Sequence, residues 1–360
     1  MFYYYVILLL PLIMVLFDFV RDRHIQFIFF SIACLALVLF AGLRSVGVDN
    51  DSLNYWGEFQ LASGLSWGDI LTGSYLSSME RGYMLLNKLV SVTGMGIHAV
   101  FLLMAASTGL MNYTLIFKKS PYPFTSLVIY VGFFFLYRDF TQIRYALSAG
   151  VGMWAIFCFL EQKYWRSLIL VFLFAFVHSA ILVVGLFVAA FMISRNRFVY
   201  FALPVVGLVG GFFDPIILIF NLVGLPEALT RYILVNEFGR GGYAISAVAQ
   251  LAMLGFLLFW KPLLNHYPKR LVEGMFVALS LGSFINLLFI SFSIMQRLSS
   301  LLFGMAIFAL PFLFKAAASK VRLEEKFAWV VVQLAFCLFA VYYGIKMIHP
   351  DILQPYRILN

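Results

Sequence analysis

Twelve apolar runs follow one another along the chain, and most are separated only by short polar turns. They cover residues 2–18, 25–43, 96–117, 124–137, 141–160, 166–180, 180–194, 198–213, 243–260, 271–291, 298–314 and 327–345. A helix needs roughly 20 apolar residues to cross the hydrocarbon core of a bilayer. Only 11% of the residues are charged, whereas soluble domains contain about 25%. The sequence therefore predicts an all-α polytopic integral membrane protein with about 11–12 transmembrane helices, in a single transmembrane domain over residues 1–360.

The first run and the cysteines argue against a cleaved signal peptide and against a metal site. Residues 2–18 lack the basic start and the small-residue cleavage site of a secretory signal peptide, so we expect them to be retained as the first span. Cys34, Cys158 and Cys337 lie inside apolar runs without the close spacing of a zinc site. Their position favours packing over metal binding.

The basic residues indicate how the chain is oriented in the membrane. The run between Arg166 and Arg195 can form one long span or two short spans that meet near His178–Ser179. Cytoplasmic loops are enriched in Lys and Arg. With two spans and an external N-terminus, 15 of the 25 basic residues lie on the cytoplasmic side, and with one long span only 11 do. The charge distribution favours two spans.

Ten basic residues remain on the outer side in this topology, and eight of them are arginines. A topology signal needs positive charge on the inner side only, so this outer set requires another explanation. The set comprises Arg44, Arg81, Lys88, Arg138, Arg144, Arg231, Arg240, Arg297, Lys346 and Arg357.

Two outer segments are long. Residues 44–95 form an external loop in which the stretch from Gly82 to Val92 predicts an amphipathic helix along the membrane surface. Residues 214–242 contain Asp214-Pro215, Pro226 and the Gly239-Arg240-Gly241-Gly242 sequence. This density of proline and glycine predicts an external loop or a re-entrant segment.

Three of the outer arginines are candidates for binding phosphate. Arg138, Arg144 and Arg297 lie at the outer ends of apolar runs. A guanidinium group stays charged and binds phosphate oxygens through two parallel hydrogen bonds. These residues could hold a diphosphate at the depth of the lipid headgroups. The alternative is that each side chain snorkels to the interface without a ligand.

His178 is the candidate proton acceptor within an apolar run. If its helix begins near Arg166, about twelve residues at ~1.5 Å each place it roughly 18 Å along the span. An ionisable side chain at that depth predicts a functional role, and neutral imidazole accepts protons near neutral pH. The alternative is a structural histidine that is held by hydrogen bonds.

Acidic residues occur at two places in the first long external segment. Asp49 and Asp51 could share a divalent metal ion, or one of them could act as a general base. Glu80 stands beside Arg81, which favours its ionised form. The alternative for each is a solvated loop charge. The chain contains no P-loop or HExxH motif.

Several short motifs follow one another along nearly the whole chain. They are Gly42-Leu43-Arg44, Val46-Gly47-Val48-Asp49, Asp51…Tyr55, Glu80…Gly82-Tyr83, Ile143-Arg144-Tyr145-Ala146-Leu147, Phe176-Val177-His178-Ser179-Ala180 and Pro355-Tyr356. Together they resemble the motifs of the EpsG family, which are Wzy-like polymerases of exopolysaccharide and O-antigen synthesis. The sequence departs from the family pattern at Arg144-Tyr145, where Arg-Gln is more usual.

The resemblance implies a membrane glycosyltransferase with a GT-C-like architecture. Such an enzyme transfers a growing glycan from undecaprenyl diphosphate to a new lipid-linked repeat unit at the outer face of the bacterial cytoplasmic membrane. Its partners would be the lipid-linked oligosaccharide, a chain-length regulator and a flippase, without nucleic acid. A flippase of lipid-linked oligosaccharide and a glycan ligase are the alternatives.

Under this hypothesis the site residues fall into two groups. The catalytic candidates are His178, Asp49 and Glu80, and the reaction needs no cofactor, a metal at Asp49 and Asp51 being the less favoured option. The candidates for diphosphate or substrate binding are Arg44, Arg138, Arg144, Arg297, Asp51, Tyr55, Tyr83, Arg231 and Arg240.

Overall fold

The chain is almost entirely helical where its structure is described. The computed structural model describes residues 1–77, 79–215, 217–218, 222, 243–292, 295–319 and 323–358. The α-helices are α1 (Phe2–Ile13), α2 (Arg23–Gly42), α3 (Ser52–Gly64), α4 (Trp67–Thr72), α5 (Arg81–Val92), α6 (Ile97–Lys119), α7 (Pro123–Tyr130), α8 (Ile143–Leu160), α9 (Tyr164–Ala175), α10 (Val183–Ile193), α11 (Arg197–Gly211), α12 (Tyr243–Leu258), α13 (Trp260–His266), α14 (Lys269–Leu288), α15 (Gln296–Phe303), α16 (Ala306–Ala318) and α17 (Leu323–Lys346). Two 3₁₀ segments (Met14–Phe19 and Ser179–Leu182) and a π-helix (Val131–Phe140) complete the description.

The fold class predicted from the sequence is confirmed, because the chain is an all-α polytopic membrane protein. Seven helical segments within the described residues are long and apolar enough to cross a bilayer, and an eighth results if the bent pair α12 and α13 is one span. This number is lower than the 11–12 predicted, because other apolar runs form shorter helices. Three apolar helices, over Tyr164–Ala175, Ser179–Ile193 and Arg197–Gly211, have only 10–17 residues, and the 124–137 run divides into α7 and the π-helix. The GT-C-like architecture stays a prediction.

The described residues form two compact units. The first comprises residues 1–154, 172–179 and 321–360, and the second comprises residues 155–171 and 180–320. The single transmembrane domain stays a prediction. In the first unit, the predicted external loop over 44–95 contains α3, α4 and α5, and α5 covers the stretch for which an amphipathic helix is predicted. The 214–242 segment lies almost entirely outside the described residues.

Small residues allow the helices of each unit to approach closely, as is usual in membrane proteins. In the first unit, a Cβ atom added to Gly132 of the π-helix would lie 2.3 Å from the carbonyl oxygen of Ala340 in α17. In the second unit, a Cβ atom at Gly211 of α11 would lie 2.2 Å from the carbonyl oxygen of Leu287 in α14. A larger residue at either position would force the helices apart.

The last residues of the chain pair with the loop that follows α2. Two isolated antiparallel β-bridges join Arg44 to Ile358 and Asp49 to Leu353. The backbone N–H of Gln354 donates to the carbonyl oxygen of Val48 at 2.8 Å. We call residues 350–358 the C-terminal segment. It holds the loop that precedes α3 and thereby fixes where α3 begins.

Candidate functional site

An ion pair between Glu80 and Arg144 forms the centre of the candidate site, which lies in the first unit. Glu80 is the residue before α5, and Arg144 is the second residue of α8. One Glu80 carboxylate oxygen accepts a hydrogen bond from Arg144 Nη1. The other accepts from the backbone N–H of Ser179 at 3.1 Å. The side chains are 20% and 15% exposed, so solvent or a ligand can reach this pair.

A glycine brings α5 against the break that follows α9. The backbone N–H of Gly82 donates to the carbonyl oxygen of Phe176 at 2.8 Å. A Cβ atom on Gly82 would lie only 2.6 Å from that oxygen, which is too close for any other residue without a backbone shift. The Glu80…Gly82 motif therefore holds the start of α5 against the residues that carry His178.

His178 lies in the break between α9 and the 3₁₀ segment Ser179–Leu182. Its backbone N–H donates to the carbonyl oxygen of Phe174 at 3.0 Å, and the Ser148 hydroxyl donates to its carbonyl oxygen at 3.3 Å. The imidazole ring is half-buried and meets the Tyr145 ring edge to face, with 5.7 Å between ring centroids. Because Ser179 binds Glu80 and Tyr145 follows Arg144, the fold brings His178, Glu80 and Arg144 into one region. The helix break also agrees with the place where two short spans were predicted to meet.

Two tyrosines surround the Arg144 guanidinium. The carbon at its centre lies 5.4 Å from the Tyr83 ring centroid and 6.0 Å from that of Tyr55, and Arg144 also hydrogen-bonds the Tyr55 side chain. Burial raises the pKa of the Tyr83 hydroxyl well above its usual range, so it stays protonated near neutral pH. These predicted substrate-binding tyrosines contact the arginine and fix its orientation.

A second arginine contacts the Tyr145 ring. The guanidinium of Arg138 is 4.7 Å from the Tyr145 ring centroid, and its Nη1 donates to Gln142 Oε1 at 2.5 Å. Arg138 belongs to the π-helix, a rare element that occurs frequently at functional sites. Arg138 therefore contacts the same ring that packs against His178, and Arg144 directly precedes the residue that carries this ring.

Arg44 and Asp49 form a different kind of pair within the same unit. Arg44 Nε donates to Asp49 Oδ2 at 2.7 Å, and both side chains are 0% exposed. Asp49 Oδ1 accepts from the backbone N–H groups of Asp51 and Ser52, both at 3.0 Å. The guanidinium lies over the ring of Phe101 at 4.3 Å. Both Asp49 oxygens thus have partners in this buried loop, and this geometry favours a structural role for Asp49. Asp51 is the residue that precedes α3.

Three predicted residues do not belong to the described part of the first unit. Arg297 is in the second unit, where it is the second residue of α15 and its carbonyl oxygen accepts from the Ser300 hydroxyl at 3.1 Å. Arg231 and Arg240 lie outside the described residues. No group of three or more His, Cys, Asp or Glu side chains placed to hold a metal ion occurs within the described residues.

Asp139 is a buried acid that the sequence analysis missed. Its carboxylate accepts a hydrogen bond from the Tyr130 hydroxyl, which in turn accepts from Asn112 Nδ2 at 2.5 Å. Asp139 follows Arg138 at the end of the π-helix. An acid at the end of an apolar run is itself a signal of function or of a buried polar network, so its position in the sequence could have identified it.

Comparisons with known proteins give one family and one distant relative. A model of the EpsG family matches residues 27–357. The amylovoran biosynthesis protein AmsC of Erwinia amylovora is 24% identical over 279 residues, which are 74% of this chain and 73% of the relative. No solved structure matches the chain significantly.

Proposed function

The chain belongs to the EpsG family, and from this premise we propose that it is a polysaccharide polymerase of the bacterial cytoplasmic membrane. It transfers a growing glycan from undecaprenyl diphosphate to a new lipid-linked repeat unit at the outer face. The relative AmsC is named for the biosynthesis of amylovoran, which agrees with a role in polysaccharide synthesis. The observation that carries the proposal is the convergence of Glu80, Arg144 and His178 at the break after α9.

The reaction exchanges one bond at the anomeric carbon of the donor glycan. The acceptor hydroxyl oxygen forms a bond to that carbon, and the bond between the carbon and the diphosphate oxygen breaks. Its electron pair leaves with undecaprenyl diphosphate, and the hydroxyl proton goes to a base. The enzyme therefore needs positive charge at the leaving group and a proton acceptor at the acceptor sugar.

Arg144 and Arg138 are the groups that we assign to the leaving diphosphate. Both are guanidinium groups, both are partly accessible, and both lie beside aromatic rings that restrict their movement. Fixed cations stabilise charge that develops in a transition state without the cost of reorganising solvent. We propose that they do this without a bound metal ion, since Arg44 already neutralises Asp49, the acid that was the metal-ligand candidate.

His178 is our choice for the base, and Glu80 is assigned a positioning role. Both Glu80 oxygens accept hydrogen bonds, one from Arg144 and one from the Ser179 backbone, so this carboxylate is engaged in holding these two groups. Imidazole has the basicity suited to general base catalysis near neutral pH. Glu80 then orients Arg144 and, through the Ser179 N–H, the backbone beside His178.

The test is polymer formation by the purified protein in nanodiscs with a synthetic undecaprenyl-diphosphate repeat unit. Wild type should produce a ladder of lengthening glycans that persists in EDTA. His178→Ala should lose the ladder, and added imidazole should restore part of it, because a small base can then occupy the vacated space. His24→Ala, which changes an exposed histidine, is the matched control. Folded protein that moves the lipid across the membrane but extends no glycan would identify a flippase and refute the proposal.

A further inference from the structure

A polar pocket of the first unit lies beside the loop that follows α2. It has a volume of about 390 Å³ and is lined by residues of that loop, of α3, of the start of α6 and of the C-terminal segment. Its polar lining consists of Ser45, Trp56, His98 and Arg357, and three aliphatic side chains complete it. Small-ligand pockets commonly have this combination of an apolar wall and a few polar groups.

Two residues that line this pocket each have a buried polar atom without a hydrogen-bond partner among the described residues. These atoms are the hydroxyl oxygen of Ser45, a residue only 7% exposed, and Nδ1 of His98. Buried polar atoms are almost always hydrogen-bonded, because leaving one unpaired is costly. Because both atoms belong to residues that line one cavity, they favour a ligand with hydrogen-bonding groups at this place.

The other lining residues indicate the shape and charge of that ligand. Trp56 is 43% exposed and offers a flat indole face, on which the C–H face of a sugar ring can stack. The first two residues of α6, Ile97 and His98, line the pocket, and Gly96 before them supplies no side-chain cap. The positive end of that helix dipole therefore lies beside the pocket. Arg357 adds a full positive charge. The pocket therefore combines an apolar platform with positive potential.

We propose that this pocket binds a pyranose residue that carries a carboxylate, as part of the glycan substrate. The sugar ring stacks on Trp56, its hydroxyls bind Ser45 and His98, and its carboxylate binds Arg357. A phosphate alone would leave the indole platform without a partner, which is why an acidic sugar is the better fit. The assignment to a glycan rests on the proposed function.

The C-terminal segment positions Arg357, the residue that binds the carboxylate in this proposal. The backbone N–H of Ser45 donates to the carbonyl oxygen of Arg357 at 2.9 Å. The preceding residue, Tyr356, stacks on Phe40 with 4.3 Å between ring centroids, and its hydroxyl donates to the Phe40 carbonyl oxygen at 2.9 Å. Arg357 is therefore held at the pocket although it lies near the end of the chain.

Binding of simple glycosides to the full-length protein in nanodiscs tests the proposal directly. Saturation-transfer difference NMR would compare methyl β-glucuronide with methyl β-glucoside. The glucuronide should bind wild type more tightly than the glucoside. Arg357→Gln should weaken glucuronide binding by about tenfold and leave glucoside binding unchanged, because only the charge-assisted bond is lost. Trp56→Ala should weaken both by about tenfold, because the platform is lost.

Two matched variants control for non-specific effects. Trp67→Ala removes an indole that is 42% exposed but does not line the pocket, and Arg21→Gln removes an exposed guanidinium from elsewhere. Both should bind the glycosides as wild type does. Absence of saturable glucuronide binding, or equal binding by Trp56→Ala, would overturn the proposal, as would binding of inorganic phosphate in place of the glucuronide. Since no lipid-linked substrate is used, these outcomes are independent of whether the protein extends a glycan.

Discussion

Two arginine–carboxylate pairs of the same unit have opposite relations to their surroundings. The Arg44 and Asp49 side chains are fully buried. Asp49 Oδ2 accepts from Arg44, and Oδ1 accepts from the backbone N–H groups of Asp51 and Ser52. Glu80 and Arg144 are partly exposed, come from distant parts of the sequence and adjoin His178 through Ser179 and Tyr145. The same chemical groups thus close a loop in one place and face a ligand-accessible region in the other. Accessibility and neighbours, and not the ion pair itself, distinguish the candidate catalytic pair.

The largest effect is expected from breaking the buried pair. Arg44→Met leaves the Asp49 charge buried without its partner, and we expect the free energy of unfolding to fall by about 3–5 kcal/mol. The double variant Arg44→Met/Asp49→Asn should recover much of this loss, because the amide oxygen still accepts from the N–H groups of Asp51 and Ser52. Thermal unfolding in detergent measures both. Equal destabilisation of the single and double variants would show that the charge of Asp49 is not what makes the single variant unstable.

A functional effect of similar size is expected at the exposed pair. Arg144→Ala should lower the rate of glycan extension by about 10²–10³, the usual cost of removing one group that stabilises transition-state charge. The unfolding temperature should change less than it does for Arg44→Met. Arg21→Ala is the matched control, since Arg21 is exposed and outside the site. Normal extension by folded Arg144→Ala would exclude this arginine from the leaving-group site.

A smaller effect should follow from moving the exposed pair without altering its charges. Gly82→Ala places a Cβ atom 2.6 Å from the Phe176 carbonyl oxygen, and relieving this contact should cost about 1–3 kcal/mol of stability. Glycan extension should also slow, because Glu80 is displaced from the backbone beside His178. Gly57→Ala is the control, since no atom lies within 4 Å of its added Cβ, and it should leave extension unchanged.

The smallest effect concerns pH and one of the tyrosines that contact Arg144. Burial raises the pKa of Tyr83 above its usual value of 10.0, so above about pH 10 the unfolded chain releases this proton before the folded one does. Stability should therefore fall with rising pH in that range. Tyr83→Phe should lessen the fall by up to about 1.4 kcal/mol per pH unit, as measured by unfolding temperatures at a series of alkaline pH values. Identical pH dependence in both proteins would contradict the burial of this hydroxyl.

The sequence predicts much of the fold because its signals are local. Apolar runs predict the helices, and the amphipathic stretch after Arg81 predicts α5. The break at His178 is predicted from charge counting. The span number is less predictable, because a run such as 124–137 can divide into an α-helix and a π-helix through tertiary packing that composition does not reveal.

The candidate site is only partly predictable, because its key distinctions depend on long-range contacts. The motifs indicate that Asp49, Glu80, Arg144 and His178 matter. They do not reveal that Asp49 is enclosed by Arg44 and its own loop. Nor does the sequence show that the C-terminal segment pairs with the loop after α2, about 300 residues away, and so carries Arg357 to the pocket beside Trp56.

A comparison of two double variants tests the central claim most directly. Arg44→Met/Asp49→Asn and Glu80→Gln/Arg144→Met each remove one pair while keeping similar side-chain volume. Rates of glycan extension would be measured in nanodiscs at a temperature where both proteins are folded. We expect the first variant to extend glycans at a rate within about tenfold of wild type, and the second to extend none detectably. Loss of extension in the first variant with retention in the second would contradict the assignment of the buried pair to structure and of the exposed pair to catalysis.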